Sequence, residues 1–502
     1  MATWTHGARR GARWAGGGLA VLVLAMTAVL ATSSTPTTVA LLGVLGAGIG
    51  AVFVRDLRRP LLAGLFLLAP VDISKAVVAP LVSRYGPIGP FYSPGLYVSP
   101  AHVVLLLLLV VWLGRRFATG RGWPGLTALD RLAFGFVGFI WFRSLGSEQG
   151  VLALGTAMSY SLAVLGFYVV SHALEDAADV RLVLTVCAVG LGVMFVHAML
   201  QTVTGQPWLL PGAKGVAAGS KLSFGGESTA FRPSGSFNHP NALAHYVVVV
   251  WPSALALALL GPRRLPGRAW WAAVAVAAGG GVMLLVTLSR GGWASAVVAA
   301  LVVTVVFAYR GVVTPRQLGF AALAGVAGLC VLLVAYPHLL LRLTAPDGRS
   351  LESRVLLADM AFTIIQAHPL LGVGFGGYNR AAFEHVAPLF ANVSHDYQLS
   401  LRQLVVHNHF LLLAAELGVP AMLFFVYLLW RFTRQLLPLA RWQDPGTFAL
   451  ATGLGASIVG QALFFNSDNY YADIRIAMFW LGAGLLQALV IQAGSKTTRR
   501  TG

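Results

Sequence analysis

Residues 405–423 read VVHNHFLLLAAELGVPAML. An apolar helix begins at about Phe410, and His407, Asn408 and His409 stand at its mouth. Whether this is a membrane helix depends on how often the pattern recurs, and it recurs along nearly the whole chain. Of the 502 residues, 57% are hydrophobic and 10% charged, whereas a soluble protein carries about 25% charged residues. Apolar runs of roughly 17 to 22 residues, each long enough for a bilayer core of about 30 Å, are read near 15–31, 38–54, 61–79, 100–114, 129–145, 151–172, 182–203, 241–260, 269–288, 292–309, 318–336, 410–430, 447–465 and 474–493. The weakest is 61–79, where APVDISKAVVAP carries Asp72, Lys75 and two prolines and reads as a broken or re-entrant segment. The expected fold is an all-α polytopic membrane protein of about 12–14 transmembrane helices with a large, helix-containing external loop. The 57 glycines suit close helix contacts. Four regions follow: N-terminal helices in 1–203, a central membrane region in 204–336, a long external loop in 337–409 and C-terminal helices in 410–502.

The net charge of +18 invites a nucleic-acid partner, but the positions of the cations argue against one. Most arginines fall in short loops between apolar runs: Arg55, Arg58 and Arg59; Arg115, Arg116 and Arg121; Arg263, Arg264 and Arg268; Arg310 and Arg316; Arg431, Arg434 and Arg441. Alternate loops are basic, as the positive-inside rule requires, so both termini are expected in the cytoplasm. The basic start followed by an apolar segment reads as an uncleaved first helix rather than a removed signal peptide. Cys187 and Cys330 both lie in apolar runs and behave as small hydrophobes, so no disulfide is expected.

The cations that break this trend lie on the outer side: Arg232, Arg290, Arg342, Arg349, Arg354, Arg380 and Arg402, with His407 and His409. They sit in two long external segments, 204–240 and 337–409, and in one hairpin; connections of such length are commonly functional. FRPSGSFNHPNALAHY carries Arg232, Asn238 and Asn241, and TLSRGGWASA carries Arg290 at the outer membrane boundary. Arg354 lies on an amphipathic stretch of the second loop, and His407 and Asn408 open the next span. An arginine at membrane depth costs roughly 2.5–3.5 kcal/mol by insertion scales and so has a partner or a task. For Arg290 the bland alternative is snorkelling or capping a helix-end carbonyl. Three guanidiniums on one face suit a diphosphate, since each is planar, permanently charged and bidentate toward phosphate oxygens. His407 can accept a proton near neutral pH and is a candidate general base; the alternative is a helix-entry histidine bonded to a carbonyl. A metal set built from His407 and His409 with His395 or His385 lacks a familiar spacing, so no metal and no cofactor are expected. The glycine-rich GVGFGGYN is not a phosphate loop, since nothing around it reads as βαβ; it reads as a turn closing the loop over the membrane.

SRGGWASA, HPLLGVGFGGY and the spacing from His407-Asn408 across nine residues to Gly418 resemble the O-antigen ligase and polymerase superfamily, over roughly residues 225–490. The resemblance implies a glycosyltransferase of the bacterial cytoplasmic membrane with its active site on the external face. The donor would be an undecaprenyl-diphosphate-linked glycan and the acceptor a hydroxyl of a glycan, lipid or protein. Transfer would be inverting and metal-independent, with His407 activating the acceptor, Arg290 and Arg354 holding the departing diphosphate, and Arg232, Asn238, Asn241 and Asn408 binding substrate. Gly418 is followed by Val-Pro-Ala, where the ligase pattern ends in Gly, Thr or Tyr, so ligase and polymerase both stay open. A lipid-linked glycan transporter is the rival from another class. It would set polar residues facing one another across the membrane midplane, whereas this chain collects them on one face.

Overall fold

In a computed structural model, the residues described are 57–78, 95–208, 221–223, 229–344, 349–385, 405–439, 444–469 and 474–501. The expected spans at 15–31 and 38–54 lie outside them. Among the described residues nine helices are long and apolar enough to cross a membrane, and the chain is an all-α polytopic membrane protein. The nine are α2 (Pro100–Ala118), α4 (Val151–Ala173), α5 (Ala177–Thr204), α6 (Pro240–Leu260), α7 (Gly267–Val286), α8 (Arg290–Tyr309), α9 (Pro315–Ala335), α16 (Pro445–Phe464) and α17 (Ile474–Thr501, apolar to Ala493). Helix α3 (Ala128–Leu145) adds an eighteen-residue apolar rod that also carries Asp130, Arg131 and Arg143.

Two expected spans take another form. The run 61–79 is an eleven-residue helix, α1 (Arg58–Leu68), then a turn and strand β1 (Lys75–Val78) paired with β2 (Leu96–Val98). At 1.5 Å per residue α1 covers about 16 Å, too short for the bilayer core; Pro70 and the polar Asp72 end it. The run 410–430 is two helices, α13 (His409–Leu417) and α14 (Val419–Thr433), broken at Gly418. The long loop contributes α10 (His338–Thr344), α11 (Arg349–Ala367) and α12 (Tyr378–His385). A short strand pair, β3 (Lys221–Ser223) with β4 (Thr229–Phe231), precedes α6, and a four-residue turn of helix, α15 (Leu436–Leu439), follows α14.

The centre of the bundle is α6 and α16, which pack extensively on each other; α8 lies on α16, and α17 on α4. Small residues make this possible. A Cβ on Gly453 would come within 2.3 Å of the Ser253 Cα, and one on Gly484 within 2.8 Å of the Phe167 carbonyl oxygen. Backbones therefore touch where lipid offers no hydrophobic drive for association. An aromatic core of Phe136, Phe167, Phe425, Phe432, Phe479 and Trp480 fills the space between α3, α4, α14 and α17.

Candidate functional site

The site forms at the end of the bundle where α6, α8, α13 and α17 begin and α16 ends. The starts of α6, α8 and α13 are capped locally. Asn408 accepts from the Leu411 amide at 3.0 Å, Ser289 from Gly292 at 3.3 Å, and the His239 Nδ1 from Asn241 at 3.0 Å with Pro240 at the first helical position. These caps satisfy orphan amides and fix where His407, Arg290 and Asn241 sit.

Asp468 is the hub. It lies in the turn between α16 and α17, with 5% of its surface exposed. Its Oδ2 accepts from Arg475 Nη1 at 3.0 Å and from Asn241 Nδ2 at 3.3 Å, and its Oδ1 accepts from the Asn469 amide at 2.9 Å. His407 Nδ1 stands 3.6 Å from Oδ1, an ion-pair separation, and its side chain is 34% exposed. Burial alone would raise the Asp468 pKa, but Arg475, then His407 and His239, hold it below the usual carboxylate range. A charged carboxylate thus faces one ring nitrogen of an accessible histidine.

Asn241 links this hub to Arg232. Its Oδ1 accepts from Arg232 Nη2 at 2.9 Å, while Arg232 Nε donates to the Thr287 carbonyl at 2.7 Å. Arg232 is 7% exposed. Burial, then the Arg342 charge, pushes its pKa down to about 10, with Arg354 acting in the same direction and Asp468 opposing. Arg232, Arg342, Arg354 and Asp468 therefore share one electrostatic neighbourhood. His239 belongs to it as well: burial, then Arg232, lowers its pKa to about 3, so its ring is neutral at physiological pH.

The hairpin between α7 and α8 enters the site through a strained turn. Leu288 has φ +52°, in the left-handed region that L residues avoid, and is held there by burial against Ala230 and Leu339. Arg290 donates Nε and Nη2 to the Arg342 carbonyl at 3.1 and 2.6 Å, and Arg342 returns Nε to the Leu288 carbonyl at 3.1 Å. The two arginines clasp the hairpin to α10. Arg290 thus does cap a helix carbonyl, the bland expectation, while standing beside the other guanidiniums. Gly291 lets the hairpin close on the Asp468 turn, since a Cβ there would lie 2.2 Å from the Ser467 hydroxyl.

The glycine turn of the long loop is stapled to the helix break. Val373 and Gly374 donate their amides to the Ala415 and Glu416 carbonyls at 3.0 and 2.9 Å, and Val419 donates to Pro369 at 2.8 Å. Gly418 has φ +90°, and a Cβ there would meet the Leu370 carbonyl oxygen at 2.1 Å. The spacing from His407 to Gly418 therefore sets the depth at which the loop closes on the helix. Arg143 fastens the far side, donating to the Leu371 and Gly372 carbonyls at 2.7 and 3.3 Å.

Of the residues expected from sequence, Arg232, Asn241 and His407 join one network, Arg290 adjoins it through Arg342, and Arg354 is an exposed residue of α11 whose charge reaches Arg232. Asn238 is held at the edge, its backbone N–H donating to Asp72 Oδ2 at 3.3 Å. Asn408 serves as a helix cap. His409 is buried between Phe425 and Phe465, its amide donating to the Phe465 carbonyl at 2.7 Å; His395 lies outside the described residues. Among the described residues no group of three His, Cys, Asp or Glu side chains is placed to hold a metal ion. Asp468 and Arg475 are additions that sequence reasoning missed. The available signal was Arg475 itself, an arginine two residues inside an apolar span, with a carboxylate in the preceding turn.

Residues 273–426 match the O-antigen ligase family. Arg290, Arg354 and His407 fall inside the matched segment; Arg232, Asn241, Asp468 and Arg475 fall outside it. No curated protein matches the chain.

Proposed function

We propose that this protein transfers a glycan from an undecaprenyl-diphosphate donor to an acceptor hydroxyl, as a ligase does, on the outer face of the bacterial cytoplasmic membrane. The observation that carries the reading is the pairing of an accessible His407 with the buried carboxylate of Asp468, beside a cluster of guanidiniums. Asp468 favours the tautomer with hydrogen on Nδ1 and leaves Nε2 to take a proton. His407 removes the acceptor proton as the acceptor oxygen bonds to the anomeric carbon. The bond from that carbon to the diphosphate oxygen breaks with inversion. The leaving group departs as the lipid diphosphate, its charge met by Arg290, Arg354 and Arg232. Fixed cations at a departing diphosphate are a large source of rate, because they need no reorganisation as charge develops. The donor is already activated, so no nucleotide enters. Asn241 positions both Arg232 and Asp468, and the basic loops at the other end of the bundle set the orientation.

The test is product sizing. Purified protein in liposomes receives an undecaprenyl-diphosphate glycan, with EDTA and without nucleotide, with and without a separate acceptor. Ligation predicts donor consumption only when acceptor is present, and only with His407 intact. A His407-dependent ladder of longer lipid-linked chains without added acceptor would assign polymerisation instead. Movement of the glycolipid across the bilayer without turnover would overturn transfer altogether.

A further inference from the structure

Where α11 ends, the long loop turns through residues 366–371, and every one of them is exposed. They read Gln-Ala-His-Pro-Leu-Leu, and no Asp, Glu, Lys or Arg occurs from Met360 to Asn379. Leu370 is 69% exposed and Leu371 48%. Exposed leucines are ordinary when scattered singly; these two close a gap between longer apolar surfaces. On α3 the exposed positions after Arg131 are Gly135, Gly138, Phe142 and Leu145, in steps of three and four that trace one helix face. On α14 they are Pro420, Leu423, Val426, Tyr427 and Trp430, again one face. In a membrane bundle such uncovered apolar stripes meet lipid. The turn lies between the ends of both stripes: Arg143 of α3 donates to the Leu371 and Gly372 carbonyls, and Val419 of α14 donates to the Pro369 carbonyl.

The pairing of the turn's backbone is a second, independent observation. Irregular backbone can approach lipid only where its polar groups are satisfied by protein. The His368 carbonyl accepts from the Gly372 amide at 3.1 Å, the Pro369 carbonyl from Val419, and the next two carbonyls but one from Arg143, while Pro369 has no N–H to satisfy. Arg143 reaches them from the last turn of α3, with its stem along the helix end and its head at the boundary. We infer that the turn 367–371 dips into the bilayer leaflet at the site end of the bundle and docks the long loop on lipid, where headgroups give way to acyl chains. Helix α11 itself stays in water, since Glu352, Arg354, Asp359 and Gln366 are exposed along it. Lipid is the occupant that the neighbouring stripes already require; a second copy of the chain would have to cover both stripes as well as the turn. Arg354 lies thirteen residues before Ala367, about 20 Å along the helix, so the lipid contact fixes one end of the element that carries it. The inference holds whatever donor the site takes.

The experiment reads depth. Leu371→Cys, Val426→Cys and Asp359→Cys are made one at a time in the full-length protein carrying Cys187→Ala and Cys330→Ala, and each is labelled with an environment-sensitive fluorophore. The proteins enter phosphatidylglycerol and phosphatidylethanolamine liposomes containing phosphatidylcholine spin-labelled near the top of its acyl chain. The expected result is blue-shifted emission at position 371, quenched by the spin label to at least about half the extent seen at position 426, with little quenching at position 359. Quenching at 371 no greater than at 359 would overturn the inference. So would blue-shifted emission that the spin label does not reach, which would mean that protein, such as a second copy of the chain, covers the turn. A second arm needs no substitution. Wild-type protein is irradiated in liposomes holding phosphatidylcholine with a photoreactive acyl chain, and adducts are mapped by mass spectrometry. Adducts are expected within 367–371 and on α14; adducts on α14 with none in the turn would count against it. Neither arm reads glycan transfer, so failure of the proposed chemistry and failure of the lipid contact are told apart.

Discussion

Both ends of the bundle are rich in arginine, yet the two ends use it differently. At the end away from the site the cations act locally. Arg434 lies over Trp430 and Arg316 over Phe320, Arg431 donates to the Tyr427 hydroxyl, and Arg116 donates to the nearby Gly122 carbonyl. Partners distant in sequence occur there too: Asp179 at a helix start for Arg58 and Arg59, the Val312 carbonyl for Arg264 and the Phe448 ring for Arg310. At the site end several partners are backbone carbonyls remote in sequence. Arg232 reaches Thr287, Arg290 and Arg342 clasp each other's backbone segments, and Arg143 reaches Leu371. Cations placed for membrane orientation need only face water. Among the described residues of the site end, Arg232, Arg290 and Arg342 bond to backbone carbonyls, Arg475 pairs with Asp468, and Arg380 pairs with Glu148 and Glu384.

That contrast can be broken or sharpened by substitution. The largest effect is expected for His407→Ala, a loss of about a thousandfold in transfer, the usual scale of a general base. Arg232→Lys comes next, with about a hundredfold loss, because a point charge cannot serve Thr287, Asn241 and a phosphate as a planar fork does; transfer kinetics together with a thermal melt check this. Full activity in Arg232→Lys would make the site end no different from the other. Asp468→Asn is expected to cost roughly tenfold or more by freeing the His407 ring, with membrane insertion retained. The pH sign follows from the depressed Asp468 pKa. Its ionised form contributes stability above the unfolded carboxylate pKa, and that contribution is lost only as pH falls through the lower folded value. In the wild type it is therefore intact throughout mildly acidic conditions, and a pH series of melting temperatures for wild type and Asp468→Asn checks it. Gly418→Ala is expected to destabilise by about 2 kcal/mol or more, given φ +90° and the Leu370 carbonyl, seen as a lower melting temperature. The smallest effect is expected at the opposite end, where Arg434→Ala should change stability by no more than about 0.5 kcal/mol and leave transfer intact.

The sequence made part of this legible. Apolar runs mark the nine membrane-length helices of the described residues to within a few positions, because lipid tolerates little else. Arg290 and His407 stand out because charge and imidazole at a span boundary are costly unless used. The hub does not stand out. Asn241 and Asp468 are 227 positions apart, and no local pattern announces that α6 packs on α16 and so meets the turn that follows it. The break at Gly418 was also hidden, since LLLAAELGVPAML keeps the composition of one span; only the Leu370 backbone shows why a glycine must stand there. Helix α1 ended early for a reason that was visible, Pro70 and Asp72 inside an apolar run.

The measurement that bears most directly on this account is the initial rate of glycan transfer by His407→Ala beside wild type, in the same liposomes and at matched amounts of folded protein. The account predicts a rate lower by about a thousandfold with an unchanged melting temperature. A rate near that of wild type would contradict it and reduce the histidine at the helix mouth to a structural residue.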